Sequence, residues 1–585
     1  MNLHRRTTPH TGGGPGRRAA RALAFGLVLC TGLAVAAQPV RASWTDAEWV
    51  NGPVGVRVPR DCATAGLYAA QGGGRFLDGS VLGLDLDTLA QLQGITALNS
   101  GTVSSSVPAR PPVAPNTYAN PLDATVISAV NAALGNGLQL GLPAGRIGAY
   151  NQWGQAPSTG QSAGAAGLVS NSGAIGLTGT PADASLPTAA TIRLGALLPA
   201  VTALADARVD VGVLASSTQL DWCRTLENRV TDPAAPVVVD RDYGIASLAL
   251  QTNSPVVAGA RTAASAAVTT LNTTIAALGG PNGLIATTLR AQVLAAVTPV
   301  LGALGLGTVT ATATVAVDLA PVNALLSQTL TDGIVTIDLA NGLVRVDLAR
   351  LLNGANGLNG LDPNTELLIN AAVVNALVAR TGALLDAWTT QVVAAAQQAV
   401  SAATVNVNLA VNLQLNVLGT ITNVATVNVT LQDTLNRITT GQATLGVSAQ
   451  AAAGLSGAVL AVVNPVLATI LGTALTPAVR ATIAAAVGTT IAPVLTTAVT
   501  TLGSSLATAT APVVTLVGAI FTPLQNALSI RVNVQPDQPG APTTGPAVPA
   551  GRYQVDALRI GVLDGLGTAA SVELARSFAG PNAEL

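Results

Sequence analysis

Apolar and polar positions alternate most regularly between Gly333 and Leu431. The stretch opens GIVTIDLANGLVRVDLARLL, with period-2 runs at Ile334–Leu339 and Leu343–Leu348 separated by Ala340, Asn341 and Gly342. This spacing predicts a hairpin over residues 334–348, and its Asn-Gly predicts a type I′ turn with positive φ at both residues. A long Ala/Val/Leu segment from Glu366 to about Ala402 follows, with helical length. LDPNTELL before it reads as the capped start of that helix, with Asn364 or Thr365 near the N-cap. Alternation resumes at Thr404–Val417 and again at Val424–Leu431, a second strand pair.

Elsewhere the pattern changes texture. From Ser43 to about Leu250, short apolar runs alternate with Gly/Ser/Pro turns, and Ala207–Cys223 is a strand candidate, so this part reads as β-rich. Arg261–Leu278 and Leu284–Leu304 have helical length, and Thr308–Leu319 reads as a strand. Between Arg437 and Arg531 the only charge is Arg480, and Pro-led phrases recur at Pro465, Pro493 and Pro512. Proline suits a first helical turn, so residues 438–530 read as short helices that restart at each one. Leu528–Val534 predicts a strand, 535–551 a Pro/Gly/Thr linker, and the tail two strands around a Gly-rich turn. The expected fold class is α+β: a β-rich N-terminal domain, then antiparallel strand pairs alternating with long Ala/Val/Leu-rich helices. The expected divisions are 43–250, 251–437, 438–534, the linker 535–551 and a C-terminal β unit at 552–585.

Residues 1–42 read as a secretory signal: a basic segment, the apolar run Ala22–Ala37, and small residues at Val40-Arg41-Ala42. An uncleaved anchor helix would need a longer apolar run. Removing this segment takes both histidines, His4 and His10, and leaves a chain that has no lysine either. A Ser-His-Asp or Cys-His relay, imidazole zinc ligands, Schiff-base lysines and the P-loop lysine are thereby excluded. Six arginines and no acids precede Ser43, so cleavage shifts the formal net charge from −1 to −7. An acidic product without a basic cluster argues against nucleic-acid partners and against electrostatic attachment to anionic membranes. Cys62 and Cys223 then form an even pair, for which an exported chain implies a disulfide; two free thiols are the alternative.

Candidate chemistry is sparse. Asp318, Asp338 and Asp347 recur in Val-Asp-Leu or Ile-Asp-Leu phrases, but no D-x-D-x-D-G loop accompanies them, and solvated strand faces explain them better than a calcium or sugar site. Tyr150 and Trp153 read as core anchors, with a glycan-stacking platform as the alternative. Glutamates are few in the body, at Glu48, Glu227 and Glu366. Two carboxylates could support glycoside hydrolysis without His or Lys, and Asp240 and Asp242, around Arg241 and beside Tyr243, form the cluster to test. No catalytic, cofactor or metal residues are assigned. Ala451–Leu475 is long and uncharged enough to span a bilayer, yet its Asn, Pro, Gly and Thr content favours a packed soluble helix, with self-association left open.

Several phrases carry a family resemblance: SWTDAEW after the signal, AYNQWGQ, RDYGIASLALQTNSP, LDPNTELL, VNVNLAVNLQLNV and the terminal VDALRIGVL…SVELARSFAGPN. Together they resemble the choice-of-anchor G family, exported surface proteins of high-GC Gram-positive bacteria with differing C-terminal anchors. The resemblance runs from about Ser43 to Asn582 and carries no catalytic residues. It implies a secreted or cell-surface protein with envelope or extracellular components as partners. This chain departs from the anchored pattern, because no LPxTG-type motif or terminal apolar helix is recognisable in it. The expected function is a non-enzymatic structural or adhesive surface protein. Alternatives are membrane insertion or self-assembly through residues 438–530, and a carboxylate-dependent glycan enzyme.

Overall fold

In a computed structural model, residues 66–89, 92–134, 137–141, 150–175, 188–417, 419–543, 548–563 and 570–585 are described. The expected signal, SWTDAEW, Glu48 and Cys62 lie outside them. The fold is α+β, with four antiparallel sheets and a layer of long helices.

The nine-stranded sheet joins the two ends of the chain. It runs in the order β18 (Thr365–Leu367), β22 (Leu528–Val534), β23 (Tyr553–Val562), β24 (Ala570–Ala579), β1 (Tyr68–Val81), β3 (Ile95–Asn99) and β4 (Ser104–Val107). Two short strands, β2 (Leu84–Asp85) and β25 (Ala583–Glu584), also pair with β1. The tail therefore forms no separate unit. β24 lies between β23 and β1, and the described residues make one compact body that the expected boundaries near 250, 437 and 551 do not divide. A long β1 without β24 would expose a row of unpaired backbone groups, and the C-terminal strands satisfy it.

A five-stranded sheet packs on this one. Its order is β12 (Val238–Ile245), β11 (Leu214–Asp221), β8 (Gln161–Gly167), β7 (Asn151–Gln155) and β5 (Thr117–Ala119). The approach is closer than ordinary sheet stacking allows: a Cβ added at Gly164 would lie 2.0 Å from the Gly73 carbonyl oxygen and 2.4 Å from that of Phe578. Hydroxyls stitch the layers together. Ser216 Oγ donates to the Ala575 carbonyl at 2.7 Å, and the Thr218 and Ser577 hydroxyls lie 2.9 Å apart.

The seven-stranded sheet runs β15 (Thr329–Thr331), β16 (Val335–Asp338), β17 (Leu343–Asp347), β13 (Leu248–Asn253), β10 (Ala207–Gly212), β9 (Thr188–Arg193) and β6 (Leu138–Leu140). The expected hairpin is β16–β17, with Asp338 opposite Leu343. Its turn differs from type I′. Four residues link the strands, and of Asn341 and Gly342 only Gly342 has positive φ. Asp338 organises the turn instead, accepting the Asn341 backbone N–H at 3.0 Å and its side-chain amide at 2.8 Å. These bonds hold the Asp338 carboxyl below its ordinary range, the side-chain amide first. The expected single strand Ala207–Cys223 is two strands, β10 and β11, in different sheets, and helix begins at Trp222.

The four-stranded sheet is β14 (Gly305–Ala316), β19 (Thr404–Val417), β20 (Thr420–Thr434) and β21 (Leu445–Ala451), in chain order. Among the described residues, the helices of ten residues or more are α1 (Ala124–Leu134), α2 (Trp222–Thr231), α3 (Pro255–Ala276), α4 (Leu284–Val297), α5 (Ala371–Ala402), α6 (Gly457–Thr469) and α7 (Pro477–Ala527). α5 starts later than expected. Its N-cap is Asn370, whose side chain accepts the Val373 N–H at 3.0 Å, whereas Glu366 belongs to β18. Asn364 has φ +61°, and its amide binds the Gln535, Gln538 and Pro539 carbonyls at 2.9–3.2 Å.

Residues 438–530 overturn the expectation of helices restarting at each proline. After α6 and a π-helical turn at Ile470–Ala474, α7 runs unbroken for 51 residues through Pro493, Pro512 and Pro523. Interior proline costs a hydrogen bond and clashes one turn back. Here Pro493 and Pro512 are exposed and Pro523 half-buried, so water can take up the freed carbonyls. The buried stripe Ile483, Val487, Ile491, Leu495, Val499, Leu502, Leu506 runs past Pro493 and continues through Thr510 past Pro512 as Val513, Val517 and Ile520. That continuous apolar seam, packed on α3 and α5, outweighs the local penalty. On the outer side, threonines such as Thr482 and Thr496 return hydrogen bonds to carbonyls four residues back.

Candidate functional site

Strand alternation builds a trough on the outer face of the five-stranded sheet. Register places Trp153, Ala165, Ser217 and Asp242 in one row across β7, β8, β11 and β12, and Gln155, Ala163, Gln219 and Asp240 in the next. Small residues at the centre and larger ones at the rims leave two adjoining cavities of about 390 and 610 Å³, which share Ser172, Gly173, Ser217 and Gln219. Trp153 is a wall rather than a platform. It is 5% exposed, its Nε1 donates to the Asn171 carbonyl at 2.9 Å, and Gly173, at φ +80°, lies against the ring so closely that a Cβ there would sit 2.8 Å from it. Tyr150 is likewise a core residue, stacked on Phe76 with centroids 4.6 Å apart, and burial pushes its phenol up to about 12.

The acidic cluster expected around Arg241 is divided by the same alternation. Asp240 and Asp242 are exposed in the trough, and Asp242 accepts the Tyr243 backbone N–H at 2.8 Å. Arg241 faces the other way, paired with Asp537 at 2.7 Å, bonded to Gln535 and lying 5.5 Å over the Tyr553 ring. Tyr243 is buried, donates to the Leu358 carbonyl and accepts the Leu361 N–H, both at 2.9 Å. Burial pushes its phenol up to about 12. Carboxylates two residues apart on one strand stand ~7 Å apart, within the spacing of inverting glycosidase pairs. Both stand in solvent, without the apolar shell that makes a carboxyl a general acid at neutral pH. The trough offers hydrogen-bonding groups to a ligand without a positioned acid.

The repeated-phrase aspartates are caps. Asp318 accepts the Ala320 N–H at 2.9 Å, Asp338 holds the hairpin turn, and Asp347 accepts the Arg350 N–H at 3.0 Å. Glu227 is exposed on α2, and Glu366 pairs with Arg531 at 2.9 Å. Among the described residues no group of three or more His, Cys, Asp or Glu side chains is placed to hold a metal. Cys223, in the first turn of α2, is disulfide-bonded, and the Tyr68 hydroxyl lies 3.7 Å from its sulfur. Its expected partner Cys62 is outside the described residues.

Two features were not anticipated from the sequence. One is a buried charge cluster in the nine-stranded sheet, where Arg576 reaches Asp78, Glu573 and Asp556, the last at 2.8 Å, and Arg559 lies 3.5 Å from Glu573. The other is the outer face of the four-stranded sheet. Its strands turn Val405, Val407, Leu409, Val427 and Val429 inward, and present Thr310, Thr312, Thr314, Asn406, Asn408, Thr430, Gln432, Ser448 and Gln450 outward. No charged residue is among them. Cross-strand bonds tie the array: Asn412 donates to Thr308 Oγ1 at 2.6 Å and accepts from Thr426 at 2.8 Å. The alternation of β14, β19 and β20 was visible, whereas β21 fell in the stretch 438–530 expected to be helical; the assembly of the four into one neutral hydroxyl and amide face required the register.

Residues 72–580 match the family model described as a domain of unknown function, DUF8394. The chain belongs to the DUF8394 family. The match runs from within β1 to the end of β24, so in this DUF8394 chain three sheets lie inside the family's span, as does the nine-stranded sheet apart from β25 and the first residues of β1. No curated protein and no solved structure matches it.

Proposed function

We propose that this chain is an exported, non-catalytic surface or extracellular protein with a structural or adhesive role, acting through neutral hydroxyl and amide faces. The observation that carries the reading is the outer face of β14, β19, β20 and β21, which spends four strands on Thr, Asn, Gln and Ser without a charge. Such a face binds hydroxylated envelope or extracellular material through many weak, salt-insensitive hydrogen bonds. The basic-then-apolar N-terminus, the resemblance to choice-of-anchor G proteins and the disulfide at Cys223 support export.

Retention on isolated cell envelopes tests this. The double variant Thr312→Lys with Asn408→Glu places opposite charges directly across β14 and β19, so folding is spared while the face becomes charged. Binding is expected to weaken at least about tenfold with an unchanged melting curve. Undiminished binding by the variant, or turnover of a glycan lost on Asp242→Asn, would overturn the proposal.

A second reading, membrane insertion through residues 438–530, draws on Gly457–Ala474 and α7, the two described helices long and apolar enough to cross a bilayer. Flotation with liposomes that disappears on deleting 438–530 would favour it. In this fold the apolar stripe of α7 is spent on α3 and α5, which favours the first reading.

A further inference from the structure

The edges of the four sheets are treated unequally. Edge strands β4, β5, β6, β15 and β18 are three or four residues long. The remaining edge of the five-stranded sheet, β12, is longer but carries Asp240, Arg241 and Asp242. Shortness and charge are the usual guards against pairing with another chain. The four-stranded sheet lacks both: β14 spans 12 residues and β21 spans 7, and neither contains a charged residue or a proline. β14 has substitute protection. Its register shifts between Leu306 and Val309, and the Gly280 N–H occupies the Ala313 carbonyl at 2.7 Å. β21 has neither device among the described residues, and it pairs with β20 alone.

From this contrast we infer that β21 is a docking edge for a second copy of this chain, paired antiparallel about a twofold axis through Ser448. The sequence Leu445-Gly-Val-Ser-Ala-Gln-Ala451 is self-complementary in that register. Leu445 then faces Ala451, Gly446 faces Gln450 and Val447 faces Ala449, each setting a larger side chain against a smaller one, while the two small Ser448 side chains meet on the axis. Val447, Ala449 and Ala451 face inward yet are half-exposed, and the partner's equivalents cover them. Charge supports self-pairing here and opposes it at β12. Two acidic copies meet at β21 with no like charges opposed, whereas the same operation at β12 would bring Asp240 and Asp242 against their own kind. The ladder would extend the neutral face across both copies. Seven residues per strand span only ~23 Å, so the contact sits at the small, weak end of protein interfaces and depends on concentration. This inference does not rest on the proposed surface role.

Sedimentation of the purified full chain up to about 0.1 mM should show a reversible monomer–dimer equilibrium. Ser448→Lys sets two ammonium groups face to face on the solvent side and should raise the dimer Kd at least about tenfold, with the fold intact by circular dichroism. Ser448→Cys should give a disulfide-linked dimer on mild oxidation, bridged between the two copies at that position, and Thr310→Cys on β14 should not. A monomer throughout the concentration range, a dimer that survives Ser448→Lys, or crosslinking of Thr310→Cys in place of Ser448→Cys would overturn it.

Discussion

Arg576→Ala should cost about 3–5 kcal/mol of stability, the penalty for breaking a buried ion cluster from one side. The Arg576 side chain is 12% exposed and reaches Asp78, Asp556 and Glu573, which are less exposed still. Its loss removes the cation that three carboxylates share; Arg75, 3.7 Å from Asp78, and Arg559, 3.5 Å from Glu573, remain beside two of them, and Asp556 is the most affected by the loss. Asp556→Asn should cost less. Burial pushes that carboxyl up against the pull of Arg576, so neutralising it relieves a desolvation cost. The sign with pH follows. In Arg576→Ala the Asp556 carboxyl, already pushed up by burial, loses the cation that pulls it down, so the folded state holds a proton that the unfolded chain releases. The deficit relative to wild type is therefore widest at neutral pH and narrows as pH falls toward about 4. Urea melts at three pH values measure it. A deficit under about 1 kcal/mol at pH 7 would show that the cluster is not an interdependent unit.

Glycine substitutions should separate in sign. Gly164→Ala places a methyl 2.0 Å and 2.4 Å from two backbone oxygens of the facing sheet, and backbone cannot swing aside as a side chain does. Relief requires parting the two sheets, so a loss above about 3 kcal/mol, or failure to fold, is expected. Gly259→Ala, in α3 with nothing within 4 Å, should instead gain about 0.5–1 kcal/mol through helix propensity. Equal effects at the two sites in parallel melts would refute the close sheet packing.

Elements with regular alternation were legible in advance. Thr404–Val417 and Leu528–Val534 are strands with the expected limits, because buried apolar residues alternate with less buried ones along most of the first and from Leu528 to Arg531 in the second. Residues whose role depends on distant partners were not. LDPNTELL carries a helix-start pattern, but Asn364 is claimed by the carbonyls of 535–539 and Glu366 by Arg531. The prolines of α7 follow a local rule that a seam with α3 and α5 overrides. The candidate site shows the same division. Asp240 and Asp242 were recognised as a pair, but assigning Arg241 and Tyr243 to the opposite face, and bringing Trp153 to the far rim, needed the order of strands in the sheet.

The direct measurement of the proposed role is fractionation of the source cell into cytoplasm, membrane, wall and medium, with intact-mass analysis of the recovered chain. The expected result is a chain found outside the cytoplasm, shortened by cleavage after Ala42 or near Ala37, and two hydrogens lighter than its fully reduced mass because Cys223 is bridged. A full-length chain recovered from the cytoplasm with its cysteines reduced would contradict the proposed function at its root.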